Sequence, residues 1–275
     1  MTYVYCPHRS NGAFELVKAL GAYRLRTFDG MDFWDKRKRY ELRDGDIIVC
    51  WGASVPDIEG IRVLNSLDQP FTAFTEWERL SGFGIPVVGL GSGTPPKYTL
   101  VPRLQRQLFE INPKFYIQRE TFVNEYRIHS FDKRSIRAGV KVPRDGFIPC
   151  PEKEWRADAG LFHPWVRSFE GGWRVSYDGF KSTSDLRKLA HKAVTALGLT
   201  FGAVDIGVQD DGRLKVLEVD KAPRIEGGTI ASYTRAITRW IREGSGQGGS
   251  SDIGGVSAGE PAQIGYDDGE DPGDL

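Results

Sequence analysis

What this chain of 275 residues has little of is cysteine. Cys6, Cys50 and Cys150 are far apart, odd in number and form no CxxC pair. That excludes a disulfide framework and a zinc knuckle, and a reducing compartment is the expectation. Net charge is missing too: 37 Lys and Arg offset 37 Asp and Glu. No overall field therefore draws the chain to nucleic acid or to an anionic membrane, although a local basic patch remains compatible. No run approaches the roughly 18 apolar residues of a membrane span, and MTYVYCPHRS lacks the apolar core of a secretion signal. A cytoplasmic protein is expected. No Ser/His or Cys/His arrangement for nucleophilic catalysis stands out either.

What is present is an acidic ribbon, FGAVDIGVQDDGRLKVLEVDKAP, from Phe201 to Pro223. Two β-rich runs, Thr200–Val208 and Arg213–Val219, flank Asp211-Gly212. Asp-Gly between such runs predicts a two-residue type I′ turn. Asp210 then faces Arg213, and counting outward puts Asp205 opposite Glu218. Asp220 lies on the Glu218 side, one diagonal step away. Three carboxylates among Val, Ile and Leu repel one another, and partial burial adds to the cost. A hard divalent cation resolves this, and Mg²⁺ takes carboxylate oxygens while keeping substrate phosphates in its shell. A solvated acidic hairpin side is the plainer reading. Gly202 and Gly207 argue for a crowded site instead.

The rest of the chain gives the frame. Thr2–Cys6, the helical spacing of Phe14, Leu16, Val17 and Leu20 before Gly21, Tyr23–Thr27, Asp46–Cys50 and Ile61–Leu64 predict a βαβ-like open sheet. Cys50–Ser54 is a ligand-facing loop or an ordinary strand-to-loop turn. Phe74–Leu80 reads as a helix. Gly89, Gly91 and Gly93 make a loop whose N–H groups could approach phosphates, with Lys97 nearby, or only a connector. Lys114–Val142 reads as an antiparallel meander of three strands. Arg127 and Lys141 on it suit a phosphate or carboxylate, or form a solvated basic side; His129 reads as structural. Pro143–Leu161 is a long loop. Trp165–Gly179 reads as a hairpin, with Arg167 a candidate phosphate ligand. Leu186, Leu189, Ala190, Ala193, Val194 and Leu197 predict a helix over 185–197, capped by Ser182 or Ser184 and ended by Gly198. Thr229–Glu243 is a last helix, and Gly/Ser-rich, acidic sequence follows as a disordered tail.

These residues resemble a known family. LGLTFGAVDIG, VLEVDKAP, the trailing EGGT, EYRIH and the VRS of the hairpin are similar to the ATP-grasp carboxylate–amine ligases, above all the short branch that phages encode and that resembles ribosomal-protein glutamate ligases. The resemblance implies an α/β (α+β) fold: a small Rossmann-like domain over 1–88, ATP-grasp lobes gripping ATP over 89–242, and a tail over 243–275. Asp205 and Glu218 match the Mg²⁺ ligands, with Asp220 where the family has Asn. Arg127 matches a basic residue near the reacting phosphate or acyl group, Lys141 a Lys/Arg on the next strand, and Arg167 the Arg of an Arg-Asn pair that is Arg167-Ser168 here. Gln118 and Glu120 fall where the hinge touches adenine, while Lys97 matches the upstream phosphate-gripping Lys poorly. Arg224 replaces a common Gly.

The implied reaction uses ATP and Mg²⁺ to join a carboxylate, plausibly an amino acid, to an amine on an amino acid, peptide or protein through an acylphosphate. An amine on a modified nucleobase is a variant that zero net charge does not favour. Asp220, Ser168 and the unmatched lysine speak for a non-catalytic nucleotide-binding or interaction protein on the same scaffold. A metal-dependent hydrolase is a third reading.

Overall fold

The computed structural model describes residues 1–29, 32–35, 38–66, 73–92, 115–117, 120–150, 160–163, 167–169 and 171–245. The expected tail beyond Ser245, Gln118, Gly93, Lys97 and Trp165 lie outside them. Two sheets organise the molecule. The first is wholly parallel, with β1 (Thr2–Tyr5), β2 (Tyr23–Leu25), β3 (Ile47–Cys50) and β4 (Arg62–Leu64) in the order β2-β1-β3-β4. Helix α1 (Asn11–Leu20) makes the first crossover. Ser10 Oγ accepts the Ala13 N–H at its start, and Gly21 ends it at φ 61°. This is the expected Rossmann-like unit. Thr27–Asp29, Asp32–Asp35 and Lys38–Tyr40 add an antiparallel ribbon that the sequence pattern did not announce.

After α2 (Ala73–Gly82) comes the second sheet. It joins β5 (Asn124–Phe131), β6 (Arg134–Pro143), β7 (Trp173–Ser176), β8 (Phe201–Val208) and β9 (Leu214–Asp220) in the order β7-β6-β5-β8-β9, antiparallel throughout. The three-strand meander is corrected here. Phe115–Ile117 leaves it to pair with Leu90–Ser92, and β8 takes its place beside β5. Asp132 and Lys133 turn the β5–β6 hairpin with φ of 42° and 65°, as a type I′ turn requires.

Helix α3 (Ser184–Ala196) lies on one side of this sheet. Its buried Leu186, Leu189, Ala190, Ala193 and Val194 meet Ile128, Val204, Ile206, Val216 and Val219. Thr183, not Ser182 or Ser184, caps it: Thr183 Oγ1 accepts the Leu186 N–H. Helix α4 (Gly228–Ser245) crosses the other side. There Tyr233 and Ile237 share a core with Phe131 and Phe201 of the second sheet and with Val49 and Trp51 of the first. The Cys50–Ser54 segment is thus a packing element: Trp51 is fully buried, 5.2 Å from Phe201 and 5.3 Å from Tyr233 between ring centroids. Asn65 ties the two sheets further, its Oδ1 accepting the N–H groups of Thr200 and Phe201 at 2.9 Å each.

The outer edge of β9 is covered. Pro86 O accepts the Val216 N–H at 2.7 Å, and Glu76 of α2 accepts the Val219 N–H at 2.9 Å and pairs with Lys221. Among the described residues no helix is long and apolar enough to cross a membrane.

Candidate active site

The acidic ribbon pairs as expected at the place that matters: Asp205 stands opposite Glu218. It arrives there by another route. The turn is not a two-residue type I′ turn, because only Gly212 has positive φ (81°), and Gln209 pairs with Arg213 across a three-residue loop. Val208, Gly207 and Ile206 therefore pair with Leu214, Lys215 and Val216, one residue off the counted register. An irregularity between Asp205 and Ile206 accommodates the extra Leu217 and restores the register beyond it. One consequence is that Lys215 shares a side with Glu218 and Asp220.

Strand alternation then assembles the site. Arg127 of β5 lies opposite Asp205 of β8 and Gly139 of β6. Glu125, Arg127, His129, Lys141, Asp205, Glu218 and Asp220 all share the side away from α3. Half of that side is apolar and sealed by α4; the other half carries these charges. Gly207 is close-packed, since a Cβ there would collide with the Phe122 ring. That is the crowding expected around Gly207.

Asp205 is 4% exposed. Arg127 forks it, Nε to Oδ1 at 2.7 Å and Nη2 to Oδ2 at 3.0 Å, and Lys141 Nζ reaches Oδ2 at 2.8 Å. Burial alone would raise the Asp205 carboxyl, but Arg127 and Lys141 outweigh it and hold it well below the usual range. Burial likewise opposes the charges of Arg127 and Lys141, and Asp205 more than restores them. Lys141 also donates to Glu125 at 3.1 Å, and Arg167 stands 3.7 Å from Glu125 while donating to Phe122 O at 2.7 Å. Burial leaves the Glu125 carboxyl raised despite both cations. Arg127, Lys141 and Arg167 thus form one cationic group on one side of the sheet.

The three carboxylates differ in their surroundings. Arg127 and Lys141 pair with Asp205 on both of its oxygens. Among the described residues no group of three His, Cys, Asp or Glu side chains is arranged to hold a metal ion. Glu218 and Asp220 are the exception to this internal pairing. The Asp220 carboxyl is raised by burial, with Arg127 only partly countering it from 3.9 Å. Glu218 is pushed up to about 7 by the water its neighbours displace and then by Asp205 and Asp220, although its outer side meets solvent. Two adjacent carboxyls reluctant to ionise are a donor set that fits a divalent cation, whose charge would let both ionise. Asp205, with both oxygens taken, does not fit it in this arrangement.

Other expected residues fall elsewhere. Gly91 sits in the short strand facing Tyr116. The Glu120 carboxylate is occupied: it accepts from the Gly89 N–H at 2.9 Å and from Gln209 at 3.0 Å, and it pairs with Lys215 at 2.6 Å. It ties the Gly89 backbone to the Gln209 and Lys215 side chains of the acidic ribbon. His129 is structural as expected, fully buried between the hydroxyls of Tyr177 (2.9 Å) and Tyr233 (3.2 Å). Burial and then Arg127 depress it to about 3, so it is neutral. Ser168 Oγ accepts the Gly171 N–H, shaping the turn after Arg167. Glu125 and Glu76 were missed as site residues. The alternation of E-Y-R-I-H already placed Glu125 beside Arg127; nothing local pointed from α2 to β9.

No family model matches the sequence, and no curated protein does. Solved structures do match in fold. The ATP-grasp ligase PsnB, complexed with minimal precursor, Mg and ADP, superposes with a TM-score of 0.53 at 12% identity, over 88% of this chain and 98% of that one. D-alanyl-alanine synthetase A from Vibrio cholerae gives 0.56 at 11%, over 88% and 97%. The macrocyclase MdnC from Microcystis aeruginosa, bound with precursor peptide MdnA, gives 0.52 at 12%, over 88% and 100%. At these identities the likeness is one of fold.

Proposed function

We propose that this chain, which has the ATP-grasp fold, is an ATP- and Mg²⁺-dependent ligase that joins a carboxylate to an amine. The observation that carries the reading is the charged half-side of the second sheet: three cations, Arg127, Lys141 and Arg167, beside two carboxyls, Glu218 and Asp220, that lack an adequate counter-charge. The cations share Asp205 and Glu125, so three positive charges face two carboxylates there. A nucleotide polyphosphate with a divalent ion balances both, its phosphates the excess cation and its metal the two carboxyls.

Residues take roles as follows. Glu218 and Asp220 would hold Mg²⁺, which when bound would screen the phosphate charge and polarise it toward attack. Phosphate oxygens arriving at Arg127 and Lys141 would compete with Asp205 for them, and an Asp205 so released would be free to join Glu218 and Asp220 as a third carboxylate donor. The substrate carboxylate attacks the γ-phosphorus, the bond to ADP breaks, and an acylphosphate forms. Arg127, Lys141 and Arg167 neutralise the charge that spreads over the transferred group. An amine then attacks the acyl carbon, expels phosphate and loses a proton, leaving an amide. Exclusion of water protects the acylphosphate. The acid is plausibly an amino acid and the amine belongs to an amino acid, peptide or protein. Dependence on ATP and Mg²⁺ suits a cytoplasm, including that of a host cell if the short phage-type branch is the right one.

The test is thermal stabilisation by Mg²⁺·ATP, followed by ADP release across a panel of amino acids and amines. Stabilisation lost in Asp220→Ala, with ADP release that needs both an acid and an amine, is the expected result. Absence of any Mg²⁺·ATP shift defeats the reading. One observation favours a second reading, a nucleotide-binding or interaction protein without turnover: Asp205 is already neutralised by its own chain. Stabilisation without ADP release across the panel would select it, whereas phosphate release without any acceptor would point to a hydrolase.

A further inference from the structure

Arg137 is the cation that the proposed reaction leaves unused. It sits on β6, opposite His129 and on the charged side of the sheet. Its Nε is buried without a hydrogen-bond partner, and no ion pair engages the guanidinium among the described residues. What holds it is packing. The guanidinium carbon lies 4.3 Å from the Tyr177 ring centroid. Tyr177 is itself fixed from two directions: its hydroxyl bonds His129, and its ring lies against Gly139, where a Cβ would stand 2.8 Å from Tyr177 Cδ1.

The other neighbour is Gly228, the first residue of α4. A Cβ there would collide with Arg137 Nη1, so only glycine lets the guanidinium approach this closely. The first turn of a helix carries positive potential. A guanidinium pressed against it, with a buried donor unmet, is a costly juxtaposition unless an anion meets its remaining donors. Asp205 does not serve, since it is engaged by Arg127 and Lys141.

We propose that Arg137, backed by Tyr177 and Gly228, binds a second, non-reacting carboxylate of a substrate. This rests on the ligase reading and adds the substrate class to it. His129, opposite Arg137, is two residues from Arg127 on β5, or about 7 Å along a strand. An extended two-residue span has the same length. A substrate whose reacting group lies at Arg127 therefore presents its free carboxylate to Arg137 if it is an amino acid, a diacid or a short peptide terminus. A guanidinium meets a carboxylate through paired N–H donors, so an amide or ester at that end is rejected. The carboxylate belongs to the acid or to the amine acceptor, and the chemistry at Arg137 is the same for both.

The first experiment reads binding, not turnover. The side-chain Nε–H resonance of Arg137, identified by its loss in Arg137→Gln, is followed by NMR in full-length protein with Mg²⁺·ADP. Probes are the twenty L-amino acids, succinate and glutarate, and then their carboxamides. The expected result is movement with one or more acids and none with the matching amides. No movement with any acid overturns the proposal, and so does equal movement with acids and amides. Gly228→Ala serves as a second variant, expected to abolish the response by displacing the guanidinium while the fold persists.

The second experiment finds the source in ADP release. If the acceptor carries the carboxylate, amidating the acceptor raises KM about ten- to a hundredfold in the wild type and changes little in Arg137→Gln. If the acid carries it, amidating the acid's second carboxylate does so. Equal losses in both proteins for both substrates reject Arg137 as the reader. NMR movement without ADP release would fail the ligase reading alone; ADP release without movement would fail this one alone.

Discussion

The two sides of the second sheet come from the same five strands and differ in almost every respect. Toward α3, Ile128, Val204, Ile206, Val216 and Val219 make an unbroken apolar layer. Toward α4, the same strands begin apolar at Phe131 and Phe201 and become charged at Arg127 and Asp205. Alternation along a strand lets one stretch of chain serve both. The difference teaches a division of labour: one side supplies stability, and the other spends some of it to hold like charges and buried cations in place.

Substitutions test that division, and the largest effect belongs to the charged side. Asp205→Ala leaves Arg127 and Lys141 buried without their partner, and a loss of about 3–5 kcal/mol in urea unfolding is expected, together with loss of the Mg²⁺·ATP response. An unchanged stability would mean that the two cations find other partners and that the ion cluster is not a structural element. Ile128→Ala, at a fully buried position of the other side, should cost about 2–5 kcal/mol yet leave the ATP concentration for half-maximal stabilisation unmoved at temperatures where the protein is folded. A weakened ATP response there would erase the distinction between the sides.

Acidity separates two neighbours within the charged side. His129 is depressed to about 3 from 6.5. Its stabilising contribution is present above pH 6.5 and is lost as pH falls toward 3, because only the unfolded chain takes up the proton. The slope is about 1.4 kcal/mol per pH unit. Denaturation curves of His129→Gln between pH 7 and 4 should be flatter by that amount. Glu218, raised to about 7, works in the opposite sense and more weakly, since solvent screens it. Without Mg²⁺ its contribution is present below the ordinary carboxyl range and is lost as pH rises toward 7. Glu218→Gln should remove that decline, and Mg²⁺·ATP should suppress it in the wild type.

Much of this was readable from the chain alone, for reasons that differ by element. The α3 stripe and its Gly198 stop are local, and Rossmann-like β1–α1–β2 follows from short-range signals. Asp205 opposite Glu218 was reached through a wrong turn: the counted register was off by one at the loop, and Leu217 returned the difference at the irregularity. Neither deviation has a strong sequence mark. What the pattern could not give is the partnership across strands far apart in sequence. Arg127 and Asp205 are 78 residues apart, and only the insertion of β8 beside β5, where a third meander strand was expected, brings them together. The reasoning that like charges must be offset was sound; the identity of the offsetting groups depended on that non-local pairing.

The closed margin of β9 has a consequence for how this molecule meets others of its kind. A bare terminal strand invites a second chain to extend the sheet, and from there to fibrous association. Here Pro86 and Glu76 have already accepted the N–H groups of Val216 and Val219, so the margin beside Glu218 and Asp220 is closed at these two positions to a pairing strand. The same clasp that keeps Val219 and Lys221 in place for chemistry also keeps neighbouring copies from adding on.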